Sequence, residues 1–298
     1  MTSNHTSDHA SPVATRSLQP GDVDHLRLGW WSRLGVEEVR RLLASAPGHS
    51  LWIPETHEYI LVGPWRHRAD VMHVQDLVAV RHPIELTRAA IVHAKDAGSR
   101  IFLAVEMAER RQDSFYDQTG LDLLESVISY ELPARPAVIE PRSGIEIRQI
   151  DLLTDQDLDS LTSVDWASFP ILWQNSVEEF RDYFTQTSVE LFVMREQGRP
   201  IGYLGTTVFP GWGHIDRLAV IRSEQGKGLG RMLTEFAINH LVALGAVRIG
   251  LSTQRRNNRS QALYSRLGFR RQVAGDYRIY GRALWQNDAV DDLVMGGA

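Results

Sequence analysis

Three glycines at alternate positions in Gln225-Gly226-Lys227-Gly228-Leu229-Gly230 lie between an apolar strand-like segment, His214 to Val220, and a helix-like one, Arg231 to Leu244. Glycine has no Cβ and accepts positive φ, so such a loop lets backbone approach a ligand closely. Its N–H groups and the first turn of the following helix then point at an anion, ideally a pyrophosphate. Alone this is weak evidence. Dinucleotide and nucleotide sites use the same physics, and the run is neither GxGxxG nor GxxxxGK(S/T).

A second block follows downstream. Val247 to Thr253 is a strand candidate, and Asn257 to Phe269 reads NNRSQALYSRLGF. The order strand, QxxGxG, helix, strand, N(x)6Y(x)3GF resembles the GNAT superfamily of acetyl-CoA-dependent N-acetyltransferases. Gln225, Gly226, Gly228 and Gly230 carry the first motif; Asn257, Ser260, Tyr264, Gly268 and Phe269 carry the second. The resemblance covers roughly residues 145–283. It implies an α/β (α+β) fold, a mixed, largely antiparallel sheet flanked by helices, whose central strands splay into a wedge for acetyl-CoA. Backbone near Leu218 and Val220 then pairs with the pantetheine arm like an added strand. The loop amides hold the pyrophosphate, Lys227, Arg222 and Arg231 supply nearby cations, and Leu229, Asn257 and Ser260 complete the cofactor set.

Amine acetylation needs a neutral amine, an anchored thioester and a proton for the departing thiolate. By the resemblance, Tyr264 is the general acid. The base is open between two residues. Period-two alternation places His214, Asp216, Leu218 and Val220 on one strand face. Asp216 stands four before Val220, where many family members carry a glutamate; His214 competes because its intrinsic pKa lies nearer neutrality. Either residue equally suits orienting the ammonium or bonding a neighbouring strand. The acceptor loop reads DWASFPILWQNS, and Trp166, Phe169 and Trp173 are its pocket candidates, with Trp212 and Tyr280 behind them. Those large apolar groups serve equally to staple the loop to the core.

The chain that must position these groups has 298 residues, enough for about two domains. Hydrophobic residues at 43% and charged ones at 23% describe an ordinary globular protein. No run is long and apolar enough for a membrane helix, and the N-terminus lacks the apolar core of a secretory signal, which fits a cytoplasmic protein. Zero cysteines exclude disulfides and thiolate chemistry, and the 11 histidines are scattered along the chain, so no metal is expected. A net charge of −5 argues against nucleic acid as partner. Yet Ala246 to Gly275 holds seven arginines, Arg248, Arg255, Arg256, Arg259, Arg266, Arg270 and Arg271, and no acidic residue. That suits the phosphates of CoA, with an RNA or acidic-partner patch as the rival reading. A homodimer stays open.

The organisation reads as a tail (1–20), a degenerate GNAT-like domain (21–132), a proline-rich linker (133–144), a catalytic domain (145–285) and a second tail (286–298). VEEVRRLL at Val36 matches VEEFRDYF at Val177, DLVAV at Asp76 matches DRLAV at Asp216, and FYDQTGL at Phe115 matches LYSRLGF at Leu263. Three ordered matches at nearly constant offset argue for internal duplication. The first copy has no QxxGxG loop and no counterpart of Asn257, and Pro83 removes a backbone donor there. The expectation is an acetyl-CoA:amine N-acetyltransferase, active in the second half on a small-molecule or peptide amine. A mycothiol-synthase-like enzyme is an alternative, because that family also pairs two GNAT modules with catalysis in the second. A non-catalytic acyl-CoA-sensing or partner-binding module is the third reading.

Overall fold

The computed structural model describes residues 14–28, 32, 34–107, 112–138 and 142–285; of the two expected tails, residues 1–13 and 286–298 lie outside these. The first half runs β1 (Arg16–Ser17), α1 (Val36–Ser45), β2 (Leu51–Ile53), β3 (Glu58–Trp65), β4 (Arg68–Val78), α2 (Pro83–Asp96), β5 (Ile101–Met107), α3 (Asp113–Thr119) and β6 (Asp122–Pro133). The second runs β7 (Ile145–Gln149), α4 (Asp155–Ser168), α5 (Val177–Thr185), β8 (Val189–Glu196), β9 (Arg199–Phe209) and β10 (Trp212–Val220). It continues with α6 (Leu229–Ala243), β11 (Arg248–Gln254), α7 (Asn258–Arg266), β12 (Arg270–Arg271) and β13 (Tyr277–Ala283). From β2 and from β8 the order strand, strand, strand, helix, strand, helix, strand occurs twice.

Local signals account for many boundaries. Thr154 and Ser176 cap α4 and α5 by accepting from the amides of Asp157 and Glu179, at 3.2 and 3.0 Å. Gln197 and Gly198 both take positive φ, 49° and 83°, so β8 and β9 close as a tight hairpin whose twist matches the strands. Residues 14–20, expected in a disordered tail, are tied down instead. β1 ladders with β2, and Leu18 is buried under α1.

All strands join one sheet in the order β1-β2-β3-β4-β5-β13-β6-β11-β10-β9-β8-β7, with β12 on β6. Among the described residues only β4 with β5 and β10 with β11 are parallel. The sheet is therefore mixed and largely antiparallel, with helices on its faces. Its centre crosses the boundary expected at 132–145. β13, the last strand of the second half, lies between β5 and β6 of the first. β6 in turn pairs with β11 along Val127–Pro133. Each half lends its last strand to the other. Ile128, Tyr130 and Leu132 of β6 are buried in the core under α6, and Ile279 joins Val71, Ile101 and Leu103 in a first-half core. The proline-rich segment is also held: Asn239 of α6 donates to the Ala137 carbonyl at 3.0 Å and accepts its amide at 2.7 Å.

A chain beginning at residue 145 would leave β11 with an open edge and β13 without either neighbour. Unpaired edges of this kind recruit other chains. The isolated segment 145–298 is expected to be poorly soluble or weakly active. A monodisperse, fully active segment in gel filtration and thiol-release assays would contradict this.

Candidate active site

The parallel ladder between β10 and β11 runs from Trp212 opposite Arg248 to Ile215 opposite Leu251 and stops there. Beyond it the strands diverge. A cavity of about 350 Å³ opens between Leu218, Ala219 and Val220 on one side and Gln254 on the other. The glycine loop and α7 line it further, through Gln225, Gly226, Gly230, Asn257, Ser260 and Tyr264.

Gly226 and Gly228 sit at φ 85° and 82°, where only glycine is unstrained, and Gly228 is the N-cap of α6. The first bond into the helix is Met232 N–H to the Gly228 carbonyl at 3.1 Å. The amides of Leu229 and Gly230 therefore precede the first intrahelical bond and carry the positive end of the helix dipole. Gln225 is fixed from both sides: its Nε2 donates to the Val220 carbonyl at 2.9 Å and its Oε1 accepts from Arg259 at 2.8 Å. Two of the expected cations point elsewhere. Lys227 pairs with Glu224 at 2.5 Å and Arg231 with Glu235 at 2.7 Å, and neither lines the cavity. Arg222, Arg256 and Arg259 do. Arg142, from the segment before β7, lies over the loop with its guanidinium on the Lys227 carbonyl. Sequence reading assigned Arg142 to a linker and had no signal for it.

Tyr264 is 7% exposed on the inner face of α7, between Tyr130 and Phe269. Burial pushes its phenol up to about 12, against a hydrogen bond from Ser260 that pulls the other way. Asn257 caps α7 by accepting from the Ser260 amide at 3.1 Å, so its side chain positions the tyrosine's helix.

The expected common face of His214, Asp216, Leu218 and Val220 is broken. A β-bulge lies between Ile215 and Arg217, where the partner on β9 steps only from Thr206 to Gly205. The extra residue resets the alternation. Asp216 and Arg217 consequently share the face covered by α4 and α5, while Leu218 and Val220 pack on the opposite face, under α6. His214 stays with Asp216, its Nδ1 2.6 Å from Oδ1. The other carboxylate oxygen accepts from both Tyr183 and Thr207. Neither Asp216 nor His214 lines the cavity.

Phe169 and Trp173 form a cavity wall, and the buried Trp173 indole N–H meets no acceptor among the described residues. Trp166 does not join them. α4 runs on to Ser168, which leaves Trp166 on its outer surface, 55% exposed, with its indole N–H on the Asn175 carbonyl. Trp212 stacks on Phe209 and Tyr280 on Tyr116, both away from the cavity. The first half supports the aromatic wall from behind. Trp65 Nε1 donates to the Leu172 carbonyl at 2.9 Å, and Arg66, at φ 53° in the β3–β4 turn, bonds Asn175 at 2.6 Å.

Two further carboxylates matter, and neither had a local sequence signal. Glu125 of β6 lines the cavity at 3% exposure, paired with Arg256 at 3.0 Å. Glu58 stands at the exit of β4 in the first half, accepting from the amides of Val80 and Arg81 at 2.6 and 2.5 Å. Burial raises the Glu58 carboxyl, but those amides and the Thr56 hydroxyl hold it below the usual range. Four arginines of the arginine-rich stretch are paired: Arg248 meets Glu131 and Arg256 meets Glu125, both from β6, while Arg255 and Arg271 meet Asp276 just past its end.

No helix among the described residues is long and apolar enough to cross a membrane, and no group of three metal-ligating side chains occurs among them. Residues 158–269 match the family model described as "Acetyltransferase (GNAT) family". A mycothiol acetyltransferase of Propionibacterium freudenreichii subsp. shermanii is 29% identical over 163 residues, 51% of this chain and 52% of that protein. Other mycothiol acetyltransferases match over about a quarter of their length, so the chain aligns with at most about half of these curated relatives. Among solved structures, a GCN5-related N-acetyltransferase from Sphaerobacter thermophilus superposes with a TM-score of 0.61 at 18% identity, over 93% of this chain and 98% of that one. A tandem GNAT protein from the clavulanic acid biosynthesis pathway superposes with a TM-score of 0.55 at 14% identity, over 92% and 99%. With its splayed strands, glycine loop and doubled element order, the chain has a tandem GNAT fold, and residues 158–269 are a domain of the acetyltransferase (GNAT) family.

Proposed function

We infer that the chain transfers an acetyl group from acetyl-CoA to a primary amine of a small molecule or peptide, in a ternary complex formed by the second half. One observation carries this: a single cavity joins the glycine loop, the splayed edge of β10 and the buried phenol of Tyr264. The residues suit CoA. Loop amides and the α6 N-terminus take the pyrophosphate, Arg222 and Arg259 add charge beside it, and the open edge of β10 offers backbone partners to the pantetheine arm. The bound thioester supplies an activated acyl carbon. Tyr264, neutral at physiological pH, then holds the proton that the sulfur needs on leaving. Phe169 and Trp173 give the acceptor an apolar, aromatic seat.

The first half is read as a degenerate copy. Glu58 already satisfies the amides at its β4 exit and places a negative charge there, and α2 starts at Pro83, which has no N–H. Calorimetric titration is therefore expected to give one CoA per chain. Two equivalent sites would overturn this part of the reading. Acetyl-CoA with an amine panel tests the whole: thiol release with mass-spectrometric detection of acetylated product is expected, and acetyl-CoA binding without turnover would favour an acyl-CoA sensor.

A second reading is favoured by the relatives' names. The same cavity would then acetylate a glucosaminyl-cysteine acceptor, as a mycothiol acetyltransferase does. Turnover of that amine well above simple amines would select it.

A further inference from the structure

We propose that Glu125, carried into the cavity by the exchanged strand β6, is the group that takes the proton from the acceptor ammonium. This rests on the acetyl-transfer reading and deepens it, because the reacting centre would then be built by both halves of the chain.

Three geometric facts carry the argument. First, Glu125 lines the same cavity as Tyr264, Phe169 and Trp173, whereas Asp216 and His214 do not. Second, Glu125 keeps open acceptor capacity. Among the described residues its Oε1 accepts from the Ser126 amide at 2.9 Å and its Oε2 faces Arg256 at 3.0 Å, which leaves a lone pair on each oxygen. Asp216 is nearly spent: Tyr183 and Thr207 fill one oxygen and His214 takes the other. Third, the placement of Glu125 ties it to the second half. It sits on β6 opposite Ile279, at the point where β6 lies between β13 and the end of β11, and its ion-pair partner belongs to the second half. A carboxylate buried to 3% exposure in a ligand-sized cavity sits where desolvation favours taking up a proton. Burial indeed raises the Glu125 carboxyl above its ordinary range, with Arg256 and the Ser126 amide pulling against it. A base so placed is better matched to an ammonium than an exposed carboxylate.

The step balances. Glu125 takes one proton from R–NH3+, and the freed nitrogen lone pair attacks the thioester carbonyl. A C–N bond forms and the C–S bond breaks, with the electron pair leaving on sulfur. Tyr264 gives sulfur its proton, and the second nitrogen proton returns to the tyrosinate. Glu125 releases its proton to water, so one proton is produced per turnover.

The test uses the full chain with acetyl-CoA and tyramine, tryptamine or hexylamine, reading thiol release from pH 6 to 10 and acetyl-CoA affinity by calorimetry. For Glu125→Gln, kcat/KM near pH 7 is expected to fall by on the order of 10²-fold. The rate should recover as pH rises and the amine loses its proton unaided, with acetyl-CoA affinity unchanged. Glu125→Asp keeps a carboxylate and is expected to retain the wild-type pH profile at reduced rate; this also separates loss of charge from loss of packing. Asp216→Asn should lose only a few-fold without a changed profile. A wild-type pH profile in Glu125→Gln, the same altered profile in Glu125→Asp, or the altered profile in Asp216→Asn instead would overturn the proposal alone. Wild-type protein that binds acetyl-CoA but turns over none of these amines or the glucosaminyl-cysteine acceptor would overturn the acetyl-transfer reading, and this proposal with it.

Discussion

Gly228→Asp is expected to abolish CoA binding while leaving the fold largely intact. Gly228 is the N-cap of α6 at φ 82°, and a Cβ placed there would come within 2.6 Å of the Arg142 guanidinium. That group ends a flexible side chain and can swing aside, and aspartate is among the few residues that visit the left-handed region. The strain is therefore about 1–2 kcal/mol. The ligand loses far more. A carboxylate at the helix N-terminus takes the amides that a pyrophosphate needs and puts like charge beside the phosphates. Losing two charge-assisted hydrogen bonds, at about 1.5–3 kcal/mol each, weakens binding by at least roughly 10²-fold. The first half already sets a carboxylate on backbone amides just ahead of α2, with Glu58 on Val80 and Arg81. Calorimetry with CoA and a thermal melt decide the matter. Unchanged affinity would place the pyrophosphate somewhere else.

Tyr264→Phe is expected to lower kcat by on the order of 10²-fold with little change in CoA affinity. Phenylalanine keeps the ring between Tyr130 and Phe269 and removes only the proton donor. The pH dependence gives a second handle. Burial raises the phenol to about 12, so the acid form persists as pH rises and is lost only when pH approaches that value. Between pH 6 and 10 the wild-type rate should accordingly show no alkaline fall from Tyr264. The variant should run below it by a constant factor across that range. Wild-type turnover by Tyr264→Phe would remove the general-acid role.

Much of the site was legible in the chain because it is written in local preferences. The alternate glycines of Gln225 to Gly230 specify positive φ at Gly226 and Gly228, and the structure adopts it at both. Gln197-Gly198 specifies a two-residue hairpin. The second motif, Asn257 to Phe269, contains a helix with Tyr264 on its buried face. The duplicated order of elements was readable because equal amphipathic periods recur at equal spacing.

What the sequence could not determine is which distant segment stands beside each local one. Strict alternation along His214 to Val220 predicts one face, but the bulge at Asp216 depends on how β9 pairs, and it turns two residues in succession toward α4 and α5. The arginine stretch looks like an unbroken positive patch until Glu125 and Glu131 arrive from far along the chain and Asp276 folds back from just past its end. Trp166 and Trp173 are seven apart in one loop-like run, yet the length of α4 sends one outward and the 3-10 turn at Ile171–Trp173 sends the other inward. Above all, the exchange of β6 and β13 is a choice of neighbours made by whole strands. Backbone ladders carry no side-chain information, and the burial of Ile128, Tyr130, Leu132 and Ile279, with the bonds of Ser129 and Glu125 to the second half, favours this pairing. The sequence alone therefore determined the positive-φ glycine loop and the helix that carries Tyr264, since those depend on torsions and helix ends. The tertiary structure alone decided that Glu125, a carboxylate from the first half, lines the same cavity as that loop and Tyr264, since that depends on strand order across the sheet.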